Sequence, residues 1–118
     1  MGENKIEVVD YEKMTEFQDN ANYLILDVRD PGEIESTGKI PGSINIALGT
    51  LENALLMNND NFAKDYGRPK PNAGFPLVFT CLKGGRATKA AEIASRLGYE
   101  KVKVYKGSWE EWSKKQGL

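Results

Sequence analysis

The 118-residue sequence contains no histidine and a single cysteine, Cys81. The lack of histidine excludes zinc sites of the usual Cys/His kind, the Ser-His-Asp triad and the Cys-His dyad. One cysteine cannot form an internal disulfide, so the chain suits a reducing compartment and we expect it in the cytoplasm. Any catalysis must run without imidazole, and we predict neither a metal nor another cofactor.

Net charge and long apolar runs are also lacking. The chain has 16 Lys and Arg against 17 Asp and Glu, a net charge of -1, which gives no broad attraction to nucleic acid or anionic lipid. The longest apolar runs cover a few residues, far below the roughly 20 that cross a bilayer. We therefore predict one domain over residues 1–118, acting as a monomer and binding neither nucleic acid nor membrane.

Short apolar runs alternate with helical patterns along the chain. Strands are predicted at residues 6–9, 23–28, 43–46, 77–80 and 102–105. Helices are predicted at residues 11–18, 51–57, 61–66 and 86–97, with a short one near Pro31 and a last one from Ser108. We expect Ser108 to cap this last helix, with Glu111 reaching back in a capping box. The alternation favours an α/β fold with a mainly parallel sheet covered by helices on both faces.

The strand at residues 77–80 leads straight into Cys81 and a short loop that opens the alanine-rich helix. The residues that follow Cys81 are Leu82, Lys83, Gly84, Gly85 and Arg86. Ligands of open parallel sheets bind beyond the carboxyl ends of strands, where a helix start presents unpaired N–H groups. The two glycines let the main chain curl so that these groups face one anion. With two nearby cations, the loop should hold Cys81 as a nucleophilic thiolate.

Two less specific interpretations stay open at this loop. A lone cysteine is often a small buried hydrophobe, which suits a strand end. Lys83 taken singly could be a solvated surface lysine, whereas Arg86 at the helix start is better placed to brace the loop. The pairing of two glycines, two cations and a helix start immediately after Cys81 favours the nucleophile.

At this loop the sequence resembles the rhodanese family, whose active site has a cysteine, four residues and an arginine. Residues 26–30 followed by Glu33 look like the first family signature, residues 38–46 look like the second, and residues 105–108 leading to Trp112 look like the closing motif. Two positions depart from the family pattern: Lys39 stands where histidine is usual, and Ser108 stands where glycine is usual. The resemblance covers nearly the whole chain.

The resemblance implies a rhodanese-like five-stranded parallel sheet between helices and a sulfurtransferase activity. Cys81 would attack the outer sulfur of thiosulfate and release sulfite, and the Cys81 persulfide would pass its sulfur to cyanide or to a thiol such as glutathione or thioredoxin. Lys83 would attract the anionic donor. Apart from the resemblance, Asp27 at a strand end is expected either to accept hydrogen bonds that organise the active-site wall or to act as a plain turn or cap residue. Arg29 and Glu33 lie on the same face if a short helix starts near Pro31, which favours a supporting ion pair.

Two other functions remain open. A cysteine-dependent phosphatase or arsenate reductase also uses a thiolate in a loop of main-chain N–H groups, but with five residues before the arginine; here there are four. A binding or regulatory module could keep the fold without turnover, because fold alone does not set function. Trp109 and Trp112 are expected to pack the last helix onto the sheet.

Overall fold

Five short apolar segments form one sheet in which all neighbouring strands are parallel. The computed structural model describes residues 6–118. Its strands are β1 (Ile6–Val9), β2 (Leu24–Asp27), β3 (Ile44–Asn45), β4 (Leu77–Thr80) and β5 (Val102–Tyr105). Their order across the sheet is β1-β5-β4-β2-β3. Residues 1–5, which the sequence analysis includes in the domain, lie outside the described residues.

Six helices connect and cover these strands within the described part of the chain. They are α1 (Tyr11–Phe17), α2 (Pro31–Thr37), α3 (Leu48–Leu56), α4 (Asn59–Tyr66), α5 (Gly85–Arg96) and α6 (Ser108–Gln116). None of them combines the length and the hydropathy that a membrane span requires. The predicted α/β fold, with five parallel strands between helices, is confirmed.

The side chains of the sheet alternate between two apolar layers. Leu24 and Leu26 of β2 face a core that α3, α4 and α5 cover, whereas Ile25 between them faces a second core under α1 and α6. This period of two is what a strand imposes on its side chains. Both tryptophans of α6 are buried in the second core, as expected.

The alanine-rich helix α5 packs closely on the first face of the sheet. Its buried residues are Ala87, Ala90, Ala91 and Ala94, each 0% exposed. Because these side chains are small, the helix axis can lie near the strands, which leaves the first turn of α5 beside the end of β4. This packing places the start of the helix at the carboxyl edge of the sheet.

Helix ends follow the predicted signals in two places and depart from them in a third. The Asp10 side chain accepts a hydrogen bond from the Lys13 N–H over 2.9 Å and caps α1, and Gly67 ends α4 in a left-handed conformation. The predicted Ser108 cap and capping box are wrong. The Ser108 hydroxyl is bonded elsewhere, and Glu111 accepts from the Tyr105 hydroxyl.

The chain reverses its direction of winding between β2 and β4. From β2 it continues outward to β3, and from β4 it continues the other way to β5. In open parallel sheets the crevice beside such a reversal, at the carboxyl ends of the strands, is where ligands bind. Asp27 ends β2 and Cys81 follows β4, so both lie at this position.

Candidate active site

The sulfur of Cys81 lies against the first turn of α5. The Gly84 main-chain N–H donates to the Cys81 Sγ over 3.0 Å, and the Ala87 N–H donates to it over 3.4 Å. Both belong to the N–H groups that a helix leaves unpaired at its start. Charge-assisted bonds from such groups, together with the helix dipole, favour a negative sulfur. The arrangement can stabilise a thiolate without a histidine base.

Cys81 is almost completely buried, with 1% of the residue exposed. Burial alone would suit a small apolar side chain, but two N–H donors aimed at its sulfur are not what such a role needs. The burial also sets a condition on any reaction. A reagent must present a narrow terminal atom, or residues 81–86, which we call the Cys81 loop, must open before Sγ is attacked.

Gly84 has a conformation and a neighbour that other residues do not tolerate. Its φ is 105°, where side chains are strained, and a Cβ built on it would lie 2.6 Å from the main-chain oxygen of Lys106. The N–H that reaches Sγ therefore depends on a glycine at this position. Gly85, the next residue, begins α5 and has open space around it.

Ser108 lies directly beside the nucleophile, from a part of the chain 27 residues away. Its Oγ accepts a hydrogen bond from the Cys81 N–H over 3.1 Å and donates one to the Tyr105 carbonyl over 2.9 Å. The same oxygen is 3.9 Å from Sγ. Ser108 is fully buried and its φ is 55°, a region that non-glycine residues rarely adopt. Strain at a residue that contacts the nucleophile is typical of functional sites.

Arg86 braces the Cys81 loop from outside. Its Nη1 and Nη2 donate to Oε2 and Oε1 of Glu33 over 2.7 and 2.9 Å, which links the start of α5 to α2. The Asp30 N–H also donates to Glu33 over 3.0 Å. The hydrogen bond from Arg86, followed by that from Asp30, lowers the pKa of Glu33 from 4.5 to about 2. The bond to Glu33 raises the pKa of Arg86, with a smaller effect of the Cys81 charge.

The predicted ion pair between Arg29 and Glu33 is wrong. Arg29 is fully buried and donates through Nε and Nη2 to the two carboxylate oxygens of Asp27, over 3.0 and 2.8 Å. Asp27 is only two residues from Arg29 and is itself buried, so its carboxylate lies beside the buried guanidinium, whereas that of Glu33 does not. Glu33 is left on the outer side of α2, where Arg86 meets it.

The Asp27–Arg29 pair joins the end of β2 to two other elements. Arg29 also donates to Thr37 Oγ1 over 2.9 Å and to the Gly38 carbonyl over 3.0 Å, and its guanidinium lies 5.2 Å from the centre of the Trp109 ring. These contacts hold α2 and the start of α6 against the sheet. Asp27 thus organises the wall of the site, although it does so through Arg29.

The remaining residues of the Cys81 loop differ in their surroundings. Leu82 is partly buried against the second core, and its carbonyl accepts a hydrogen bond from the Glu110 N–H over 3.0 Å. Lys83 is exposed and lies beside three other lysines, Lys106 and the α6 residues Lys114 and Lys115. Among residues 6–118, no group of three or more Cys, Asp or Glu residues could hold a metal ion.

Sequence reasoning missed three residues that shape the site. Ala87 lies in the alanine-rich helix and its N–H faces Sγ; its position three residues after Gly84 is the available signal. Asn45 donates to the Asp27 and Arg29 carbonyls over 2.9 and 2.8 Å, and nothing in its local sequence indicates this. Ser108 was interpreted as a helix cap, although its departure from the family pattern marked the position.

Comparison with known proteins gives consistent results. The family model for the rhodanese-like domain matches residues 10–115. The Drosophila melanogaster "Rhodanese domain-containing protein CG4456" is 43% identical over 108 residues, 92% of this chain and 97% of the fly protein. The Homo sapiens "Thiosulfate:glutathione sulfurtransferase" is 38% identical over 93 residues, 78% of this chain and 80% of the human protein.

Solved structures agree with this result. The human single-domain sulfurtransferase TSTD1 is 32% identical and superposes with a TM-score of 0.86, over 94% of this chain and 98% of that one. The match of the family model to most of the chain, with these relatives, settles the class of protein. The chain belongs to the rhodanese family.

Replacing Gly84 should disturb the sulfur site more than replacing Gly85. In Gly84→Ala the added Cβ meets the Lys106 oxygen at a strained φ, so the loop shifts and the N–H···Sγ bond is lost. We expect a loss of about 1–2 kcal/mol in the free energy of unfolding and a slower reaction of Cys81 with an alkylating reagent at a fixed pH, because a donor to its sulfur is lost. Gly85→Ala is the matched control. Equal alkylation rates in the two variants would contradict this account.

Two substitutions at Ser108 separate strain from hydrogen bonding. Ser108→Gly and Ser108→Ala both remove the hydroxyl that holds Cys81, but only glycine relieves the strained φ. We expect Ser108→Ala to be less stable to urea than Ser108→Gly by about 1 kcal/mol. Both should change the rate of Cys81 alkylation at a fixed pH by the same factor, because both lose the hydrogen bond from the Cys81 N–H. If the alkylation rate instead follows stability, Ser108 acts through strain alone.

The Arg86–Glu33 pair should make stability depend on acid pH. Since the pKa of Glu33 falls to about 2 in the folded chain, its effect is complete above about pH 4.5 and disappears as pH falls towards 2. About a third of each side chain is exposed, so Glu33→Gln should cost about 1 kcal/mol at neutral pH. Urea unfolding across this pH range, with the exposed Glu35→Gln as control, measures the difference. A difference that persists at pH 2 would refute the assignment.

Proposed function

We propose that this chain is a sulfurtransferase that moves a sulfane sulfur through a persulfide on Cys81. The observation that carries the proposal is the Cys81 Sγ held by two main-chain N–H groups at the start of α5. Such donors stabilise charge that develops on a sulfur, in the way an oxyanion hole stabilises an oxygen. The names of two relatives, the human protein above and a Saccharomyces cerevisiae protein also called thiosulfate:glutathione sulfurtransferase, support thiosulfate as the donor.

In the first half-reaction the Cys81 thiolate attacks the outer sulfur of thiosulfate. The new bond joins Sγ to that sulfur, the sulfur–sulfur bond of thiosulfate breaks, and sulfite leaves with the electron pair. The terminal sulfur of the persulfide then carries the negative charge. Lys83, exposed on the Cys81 loop, attracts the anionic donor, and Arg86 keeps the loop in shape through Glu33.

In the second half-reaction an acceptor removes the outer sulfur and Cys81 leaves as the thiolate. We propose a small thiol such as glutathione or the thiol of a protein such as thioredoxin; cyanide would accept the same sulfur and yield thiocyanate. The name of the human and yeast relatives, thiosulfate:glutathione sulfurtransferase, supports glutathione. The cycle regenerates the thiolate without any oxidant or reductant beyond donor and acceptor.

The length of the Cys81 loop favours sulfur transfer over phosphate chemistry. Four residues separate Cys81 from Arg86, and the Gly84 N–H already contacts Sγ itself. A phosphatase needs its loop donors free for the oxygens of a bound oxyanion. A tight loop of this kind suits one additional sulfur atom.

The setting of the reaction follows from the same residues. We propose that the protein works in the cytoplasm, because one cysteine that must stay reduced suits a reducing compartment. We also propose that it works as a monomer. The groups that contact Sγ, from Gly84, Ala87 and Ser108, all belong to a single chain, so the site does not need a second copy.

Incubation with thiosulfate should load one sulfur onto the purified protein. We expect the intact mass to rise by one sulfur atom, with release of an equal amount of sulfite, and to return to its starting value when glutathione or cyanide is added. Cys81→Ser should neither gain mass nor release sulfite, since no other cysteine is present. Circular dichroism of this variant checks that it is folded. Sulfite release by folded Cys81→Ser would rule out the proposed nucleophile.

A further inference from the structure

A concave surface adjoins the Cys81 loop, and of its lining residues only Lys83 has a role in the proposed transfer from thiosulfate. It lies between the loop and one side of α6, from the first turn to the last, and has a volume of about 370 Å³. Its charged lining residues are Lys83, Lys106, Glu110, Glu111, Lys114 and Lys115. We call it the lysine cleft.

The lysine cleft is fixed to the nucleophile's loop by main-chain contacts. The Trp109 N–H donates to the Cys81 carbonyl over 2.9 Å, and the Glu110 N–H donates to the Leu82 carbonyl over 3.0 Å. Gly84 lies so close to the Lys106 carbonyl that no Cβ fits between them. The main chain that carries the cleft is therefore held at a fixed position relative to Cys81.

The charged residues of the cleft carry a net positive charge. Four lysines and two glutamates line it; the Lys115 ammonium lies 5.3 Å from the centre of the Tyr11 ring, and Glu111 is engaged by the Tyr105 hydroxyl over 2.7 Å. Within residues 6–118, no carboxylate lies in salt-bridge distance of Lys83, Lys106 or Lys114. Like charges crowded in one concavity repel one another unless an anion joins them, so the cleft is suited to an anionic ligand.

The size of the cleft suits a small molecule. A volume of about 370 Å³ is at the lower end of the range of small-molecule sites, roughly 300–1,000 Å³. A protein partner would cover a much larger surface. Thiosulfate, in contrast, is a few atoms across and must enter the Cys81 loop itself. The cleft therefore suits the second reactant, whose sulfur has to reach the persulfide from outside.

We propose that the lysine cleft binds the carboxylates of a small thiol acceptor and so selects carboxylate-bearing thiols over neutral ones. This inference rests on the proposed function and specifies the acceptor of that same site. The ammonium groups of Lys106 and Lys114 hold carboxylates that lie away from the thiol. The acceptor sulfur is then directed at the persulfide beside Lys83. Because these contacts are exposed to solvent, they act mainly on KM and are weakened by salt.

The test compares two acceptors in the same assay. Glutathione carries two carboxylates, whereas 2-mercaptoethanol carries none, and both attack through a thiolate. In the double variant Lys106→Gln/Lys114→Gln, we expect the ratio of kcat/KM for glutathione to kcat/KM for 2-mercaptoethanol to fall about 5-fold through a higher KM for glutathione. Added salt should lower this ratio in the unaltered protein and leave it nearly constant in the variant.

Lys101→Gln is the matched control. Lys101 is exposed and comes directly before β5, so it lies at the amino ends of the strands, whereas Cys81 lies at their carboxyl ends. This variant should keep the original ratio. An unchanged ratio in the double variant would overturn the proposal, as would an equal fall in Lys101→Gln. The proposal would also be overturned if the double variant lost activity with reduced thioredoxin but kept it with glutathione, a result that would favour a protein acceptor.

The assay also distinguishes an error in the proposed function from an error in the lysine-cleft proposal. The proposed function is wrong if there is no turnover at all. In that case the unaltered protein releases no sulfite from thiosulfate with glutathione, 2-mercaptoethanol or cyanide. The lysine-cleft proposal fails when turnover is present with all three acceptors and the ratio does not respond to the lysines. Thermal unfolding of the double variant, whose replaced side chains are both exposed, verifies that the comparison is made on folded protein.

Discussion

The hydrogen bond from the Gly84 N–H to the Cys81 sulfur is the constraint on which the site depends. It exists because the chain turns through a φ of 105° and passes within van der Waals distance of the Lys106 carbonyl, which only glycine permits. That turn also sets where α5 starts and how the loop lies on the start of α6. The sulfur, the helix start and the closing segment of the chain are thus parts of one packed unit.

Regular, strongly apolar elements could be predicted from the sequence. The bounds of β1, β4 and β5 agree with the prediction residue by residue, since each is a short run rich in β-branched and other apolar residues. β3 has only two residues, Ile44–Asn45, too few for a periodic signal. α3 begins at Leu48, earlier than expected, because its first turn contains a glycine and a threonine that weaken the helical pattern.

The candidate site was predictable where it is local in sequence and not where it joins distant segments. Cys81, the two glycines and Arg86 form one run, so a helix start at the end of β4 could be inferred for them. The partner of Arg86 is Glu33, 53 residues away, and local spacing suggested Arg29 for that glutamate. The Ser108 hydroxyl is likewise taken by the Cys81 N–H, 27 residues away, rather than by its own helix. Such pairings depend on packing.

The lack of histidine has a consequence for how the nucleophile works. Its environment consists of main-chain N–H groups, a hydroxyl and an ion pair whose members keep their charges through neutrality, since the pKa of Glu33 falls to about 2 and that of Arg86 is raised. None of these groups gains or loses a proton near pH 7, so the field at Sγ stays constant there. A histidine-activated thiol would instead lose its partner's charge within this range. Fixed dipoles and a constant ion pair therefore stand where other thiol sites have a titrating base.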